Sequence, residues 1–379
     1  MRALNTMRLL YGALIACLLV IPPLAHAQIP PQDTETIERA VVTSVDKETI
    51  TATPGTGVRA QQQVLTVEVL TGGEKGKVVT FTNDFTQLRA GEQFYLRHLV
   101  RHSEGQEYYT VADPYRLPML GVLATLFVLL TVAIGGKQGV RGLASLVGSM
   151  VLIAYVLLPG VVAGYSPILV SVGVASLIVV VGSYITHGIN RTTSTAVLGM
   201  IATVLITGLG AGLAVSFGHF SGYTSEDVTY VHYKFNGAID LVGLLMGGIL
   251  IGLLGVLYDS AIGQAVAVEE LMRAGRHLTK TEVFLRAMRL GREHIGALVN
   301  TLAIAYVGAT LPLLLLLSTS DNPLLYIINS EGLASELVRI FVGSIGLLLA
   351  VPVTTVIAVL VLGTYGVPVR KSSHARHTH

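Results

Sequence analysis

The chain has 379 residues, of which 52% are hydrophobic and only 13% charged, with a formal net charge of +2. That balance excludes an ordinary soluble domain, in which about a quarter of residues are charged, and places the chain in a bilayer. The single cysteine, Cys17, excludes an intrachain disulfide and a thiolate metal cluster.

The first predicted element is an export segment. Arg2 and Arg8 precede an apolar stretch that closes with Ala25-His26-Ala27, so residues 1–27 read as a signal peptide or an uncleaved signal anchor. Residues 28–115 then turn polar and β-branched, with strand-like runs at 39–45, 64–70, 77–81, 93–100 and 107–111 and with Gly72, Gly73 and Gly91 in the turns. Five short strands predict a small exported all-β domain, an OB-like barrel or a sandwich, because closure removes unpaired edges. Its Phe81, Phe85, Phe94, Tyr95, Tyr108 and Tyr109 are expected to fill the core. With no basic groove beside an aromatic platform, nucleic acid is not an expected partner.

From residue 116 the sequence becomes a polytopic α-helical membrane domain that extends to 366. Apolar runs at 117–134, 143–162, 167–185, 196–215, 241–258, 295–317 and 340–362 each approach the roughly 20 residues that cross about 30 Å of hydrocarbon. Seven spans after the signal segment follow, and short loops among the first four favour an antiparallel bundle. With the β domain outside, the inward segments hold Lys137, Arg141, Arg191, Arg273, Arg276, Lys280, Arg286, Arg289, Arg292, Arg370, Lys371 and Arg376, whereas the outward ones hold Lys234 and Arg339. Twelve basic residues against two is a strong positive-inside bias, which puts the C-terminus in the cytoplasm. The tail, 367–379, is basic and contains His374, His377 and His379, for which a solvated terminus is the simpler reading than a metal site.

Most of the unusual polar residues cluster around the fifth and sixth runs. Asp240 and Asp259 bracket the fifth; 19 residues at helical rise separate them by about 29 Å, which sets them at opposite hydrocarbon edges rather than as a buried pair. Asp240 is expected to cap or solvate its helix end. Gly243, Gly247, Gly248, Gly252 and Gly255 between them suit close helix packing. A short interfacial helix with Glu269 and Glu270 is expected after Asp259, followed by a basic amphipathic helix whose Thr279 and Glu282 form a capping box. Arg286, Arg289 and Arg292 on that helix are suited to anionic lipid headgroups at the cytoplasmic face. The chain then re-enters the membrane near Gly291, with Asn300 about 8 to 9 Å deep and Thr301 beside it; a buried amide at that depth is expected either to bond a neighbouring helix or to line a substrate path. Pro312 and Pro352 should weaken the sixth and seventh helices. The chain contains no G-x-S-x-G, no H-E-x-x-H and no phosphate-cradling Gly-Lys loop, so an enzyme, a cofactor and a metal are not expected.

The stretches LVGLLMGGILIGLLGVLYDSAIGQAVAVEEL and GREHIGALVNTLAIAYVGATLP, with HGINRTTSTAVLG as a weaker third, resemble the YibE/F-like bacterial membrane proteins. The resemblance covers about two thirds of the chain. It implies an exported small domain followed by multiple spans in the inner membrane of a bacterium, and it puts Asp259, Glu270, Gly291, Arg292, Asn300 and Thr301 at the family's characteristic positions. Gly263 and Gln264 stand where family members carry serine, which removes a hydroxyl from the segment after Asp259. The function expected is permease-like, acting on a small molecule or ion through a cytoplasmic-side elbow between spans five and six. The competing expectation is a non-transporting envelope scaffold that recruits partners through its β domain.

Overall fold

The computed structural model describes residues 34–52, 59–101, 106–275 and 277–365; the signal segment with Cys17 and the histidine-bearing tail lie outside the described residues. The chain divides into two compact units, Met1–Thr125 and Leu126–His379.

The first unit contains β1 (Thr34–Ala52), β2 (Arg59–Val69), β3 (Val78–Asn83), β4 (Gln93–Arg101) and β5 (Gln106–Pro114), all antiparallel in the order β3-β2-β1-β4-β5. Each predicted strand is present. The long β1 pairs with β4 through its first half and with β2 through its second. Irregularities between Val42 and Ser44 and between Val45 and Lys47 bend it there, which curls the sheet. Alternate residues point inward, so Leu65, Val67 and Val69 of β2 meet Phe94 and Leu96 of β4 over Ala40 and Val42. The result is a half-barrel. Three of the aromatic residues assigned to its core are instead outside: Phe85, 63% exposed, follows the end of β3; Tyr95 lies on the face of β4 opposite to Phe94 and Leu96, against Tyr115; and Tyr108 lies on the outer face of β5, opposite to its neighbour Tyr109.

Among the described residues no ladder joins β3 to β5, and side chains bridge that seam. Lys77 Nζ donates to Glu74 Oε1 at 2.7 Å and to Tyr109 Oη at 2.7 Å, and lies 3.5 Å from Glu107 Oε2. Hydrogen bonding to Lys77 holds the Glu74 carboxyl below its usual value, and the Tyr109 hydroxyl does the same for Glu107. Burial pushes the Tyr109 phenol up to about 12.

The second unit is helical. Its elements are α1 (Leu117–Leu152), which starts in the first unit and continues through a π-helical turn, Ile153–Leu157, into α2 (Leu158–Val162); then α3 (Pro167–His187), α4 (Arg191–Phe217), α5 (Glu226–Lys234), α6 (Leu241–Ala274), α7 (Lys280–Ala309), α8 (Leu311–Ser318), α9 (Leu324–Asn329) and α10 (Glu331–Tyr365). Five helical runs are long and apolar enough to cross a membrane, or six if the bent α7–α8 pair counts as one. Seven was the expectation, and the difference lies in Leu117–Val162, a single run of 46 residues. Gly136, with φ 53° and ψ −134°, leaves helical geometry inside it. Beyond that break the chain doubles back: a Cβ on Gly139 would stand 3.0 Å from the carbonyl carbon of Thr131, eight residues earlier and about 12 Å away in a straight helix. The α7–α8 pair bends by 67° where Pro312 begins the second helix, as the proline predicted.

The tightest helix contact is one that the sequence reading did not single out. On α4, Thr195, Gly199, Thr203, Thr207 and Ala211 recur every fourth residue and are all buried; on α10, Gly346, Ala350, Thr354 and Ala358 do the same. A residue every fourth position lines one face of a helix. A Cβ on Gly199 would overlap Thr354, and one on Gly346 would overlap Thr207, so the two backbones run antiparallel in close contact. Helix α6 packs Leu250, Leu253, Leu257, Ala261 and Ala265 into the same core. Of the five glycines between Asp240 and Asp259, Gly243 approaches Pro167, Gly247 approaches Ser171 and Gly252 approaches the Tyr306 hydroxyl, whereas Gly248 and Gly255 face open space.

Gly199→Ala is therefore expected to destabilise the detergent-purified protein by about 1–3 kcal/mol through overpacking. Gly255→Ala should be neutral or stabilising by up to about 1 kcal/mol, since it only restricts the unfolded chain. Thermal unfolding of the two variants beside the parent checks the contrast.

Candidate functional site

Two expectations about the polar region change. Helix α6 does not end at Asp259: it runs unbroken from Leu241 to Ala274, because Ser260, Ala261, Gln264, Ala265 and Val268 continue a buried face. Helix α7 likewise passes through Gly291 without turning. Gly291 is there for closeness, since a Cβ would stand 2.5 Å from Val351 Cγ1 and 2.9 Å from Gln264 Oε1. Gln264 in turn donates to the Ala287 carbonyl at 2.8 Å, a fixed bond in place of the absent serine hydroxyl. The elbow is thus a helical hairpin turning at Gly275, and Thr279 with Glu282 closes the capping box that the spacing predicted. The apolar face of α7, Val283 and Ala287, packs on Val268, Ala358 and Leu362 rather than lying on an interface, while Arg286, Arg289 and Arg292 remain exposed.

The structure draws α6 towards the turn between α3 and α4. That turn needs a glycine, for Gly188 has φ 78° and ψ 171°, a conformation side chains avoid. Asn190 then caps α4 by accepting from Thr193 N at 2.8 Å. Tyr184 Oη donates to Ser194 Oγ at 3.1 Å, tying the end of α3 to the start of α4. These bonds aim Thr192 at α6, where its hydroxyl donates to Glu269 Oε2 at 2.6 Å. Arg273 completes the bridge, with Nη2 2.5 Å from Glu269 Oε1 and Nη1 2.6 Å from Glu270 Oε1. Helical spacing sets Asp259, Ile262, Val266, Glu269 and Arg273 along one stripe.

Between turn and stripe lies a cleft of about 460 Å³. Ile262 and Val266 form an apolar wall, and His187, Asn190, Arg191, Thr192, Thr193, Glu269, Glu270 and Arg273 line the rest. Asp259 is exposed and within electrostatic reach of His187, whose ring lies 5.9 Å from that of Tyr258. An arrangement with cations, carboxylates and hydroxyls on one wall and methyl groups on the other can hold a small polar molecule or ion.

The sequence-derived candidates divide. Glu270 lines the cleft and Asp259 belongs to its stripe. Asp240 caps α6 by accepting from Gly243 N at 2.9 Å, the structural role expected of it. Arg292, Asn300 and Thr301 are exposed on α7 and do not line the cleft; the Thr301 hydroxyl donates to its own helix at Ala297, 2.8 Å away. Asn300 has no hydrogen-bond partner among the described residues and is not the inward-facing amide expected. Thr192 and Arg273 were missed as site residues. Their signals were the threonine pair after the Asn190 cap and the four-residue spacing of Glu269 and Arg273. At the other end of the bundle, Glu336 and Arg339 pair at 2.9 Å in the first turns of α10, with Arg339 5.7 Å from the Tyr306 ring centre.

Residues 123–364 match the family model of the YibE/F-like proteins, and residues 34–98 match that of the YibE/F family N-terminal domain. The chain belongs to the YibE/F-like family, as its motifs suggested. No curated protein and no solved structure matches it.

Thr192→Val removes one donor from a largely buried carboxylate and should cost about 1–3 kcal/mol of stability. Asn300→Ala should fall within about 0.5 kcal/mol of the parent, as exposed positions do. Thermal midpoints of the two variants in one detergent measure both.

Proposed function

We propose that this YibE/F-like protein is a permease of the bacterial inner membrane, in which the α3–α4 turn and the α6 stripe form a cytoplasmic gate for a small polar molecule or ion. The observation that supports this reading is the Thr192–Glu269–Arg273 bridge, a polar latch between two helices over a cleft, at the end of the bundle that the basic residues assign to the cytoplasm. In this reading the doubled-back run Leu117–Val162 crosses twice, the bent α7–α8 pair crosses once, and seven crossings leave the half-barrel outside and the C-terminus inside. The exposed Arg286, Arg289 and Arg292 then face anionic headgroups. The apolar wall favours a ligand with some hydrocarbon, and the charged rim orients it.

Proteoliposomes assayed for proton, sodium, potassium and chloride flux and for uptake of small organic acids and amines test the proposal. Glu269→Gln keeps the shape and removes the charge, and should change whichever flux the parent shows by about tenfold. Asp240→Asn, at the opposite end of α6, should leave it unchanged. Equal flux in Glu269→Gln and the parent would remove the gate. On a Cys17→Ala background, Val266→Cys should react with an impermeant maleimide in inside-out vesicles and Tyr230→Cys in right-side-out ones; the reverse pattern contradicts the orientation.

A further inference from the structure

The geometry of the half-barrel seam points to a second site, unrelated to the gate: we propose that Glu74, His98 and Glu107 bind a divalent transition cation such as Zn²⁺, and that Lys77 holds its place until the metal arrives. One carboxylate oxygen from each glutamate and one ring nitrogen of His98 lie within 4.8 Å of one another. The three residues come from separate elements, the turn before β3, β4 and β5, so the fold itself assembles them.

His98 supplies the observation that raises this above an acidic cluster. The residue is only 9% exposed, and its Nε2 is buried with no hydrogen-bond partner. That atom lies 3.5 Å from Glu107 Oε2, and Nδ1 lies 3.6 Å from Glu74 Oε2. Both separations exceed a good hydrogen bond. Only one ring nitrogen can bind a given ion, so the ion belongs at the partnerless Nε2, whose 3.5 Å to Glu107 Oε2 matches the spacing of about 3.4 Å between two ligand atoms that each stand about 2.1 Å from a tetrahedral ion. The ring cannot easily turn away, because it pairs with Tyr109 across the β4–β5 ladder and stacks on it at 4.5 Å and 9°.

Lys77 marks where positive charge belongs. Its ammonium bonds Glu74 and Tyr109 and faces Glu107, yet its side chain is 42% exposed, so it can swing into water at little cost. Two carboxylates with one lysine leave a net negative charge, which a divalent ion in the lysine's place would neutralise. A mixed carboxylate and imidazole set suits zinc, cobalt or manganese; magnesium and calcium prefer oxygen alone. The Tyr109 hydroxyl, 2.8 Å from Glu107 and 3.1 Å from Glu74, would hold the ligating carboxylates in place.

Calorimetric titration of the full-length protein in detergent with Zn²⁺, and separately with Mg²⁺, tests the assignment. His98→Gln should weaken Zn²⁺ binding at this site at least tenfold, and Lys77→Met should tighten it by about tenfold because no resident cation has to leave. Mg²⁺ should bind much more weakly than Zn²⁺. Binding by the histidine-rich tail would be identical in all three proteins. The same Zn²⁺ isotherm for parent, His98→Gln and Lys77→Met would overturn the proposal, and if Lys77→Met fails to fold, the comparison of His98→Gln with the parent still decides it.

Discussion

The helical unit depends on how closely α4 and α10 approach. In hydrocarbon, helices gain nothing by hiding apolar surface from one another, so their association rests on van der Waals contact and on what their polar groups can find. Thr195, Gly199, Thr203, Thr207 and Ala211 facing Gly346, Ala350, Thr354 and Ala358 give two smooth faces that meet backbone to backbone. Thr203 and Thr355 satisfy their hydroxyls on the carbonyl four residues earlier, so these buried donors need no partner on the facing helix. The buried hydroxyls of Thr207 and Thr354 have no partner among the described residues, so the fit of these positions is steric.

That contact has consequences at the helix ends. With α4 fixed against α10 and α6 packed into the same core, the start of α4 can only meet the far turns of α6, where Thr192 reaches Glu269. The bridge therefore reads out the relative position of two helices, each held elsewhere by apolar packing. Arg273 and Glu269 share α6, so the threonine bond alone crosses between the helices and it alone depends on their closeness. At the other end of the bundle, the 67° bend after Ala309 and the Glu336–Arg339 pair beside Tyr306 combine a broken helix with a charge pair near the start of α10. Interrupted helices are tolerated in membranes where protein or a hydrated cavity satisfies the freed backbone.

Much of this was legible in the sequence because the physics involved is periodic or local. Strand alternation located all five strands, the Thr279–Glu282 spacing identified a capping box, and Pro312 marked the break. What misled was local polarity. Asp259 interrupts an apolar run, so it looked like a helix end, yet Ala261, Ala265 and Val268 maintain the buried face and the helix continues. Asn300 looked buried because of its depth along the chain, but depth does not reveal which way a side chain faces. The cleft could not be read at all from one segment, since it joins residues near 190 to residues near 270. The seam of the half-barrel was hidden for the same reason: Glu74, His98 and Glu107 become neighbours only once the sheet has curled.

The central claim is that the α4–α6 bridge opens and closes, and a distance distribution tests it most directly. Spin labels at Ile189 and Val266, both exposed and outside the bridge itself, can be measured by pulsed electron paramagnetic resonance on the full-length protein in lipid bilayers. Two separated distance populations are expected, with the longer one enriched in Glu269→Gln. A single narrow population, the same in the parent and in Glu269→Gln, would contradict a moving gate and leave the bridge as a fixed part of the bundle.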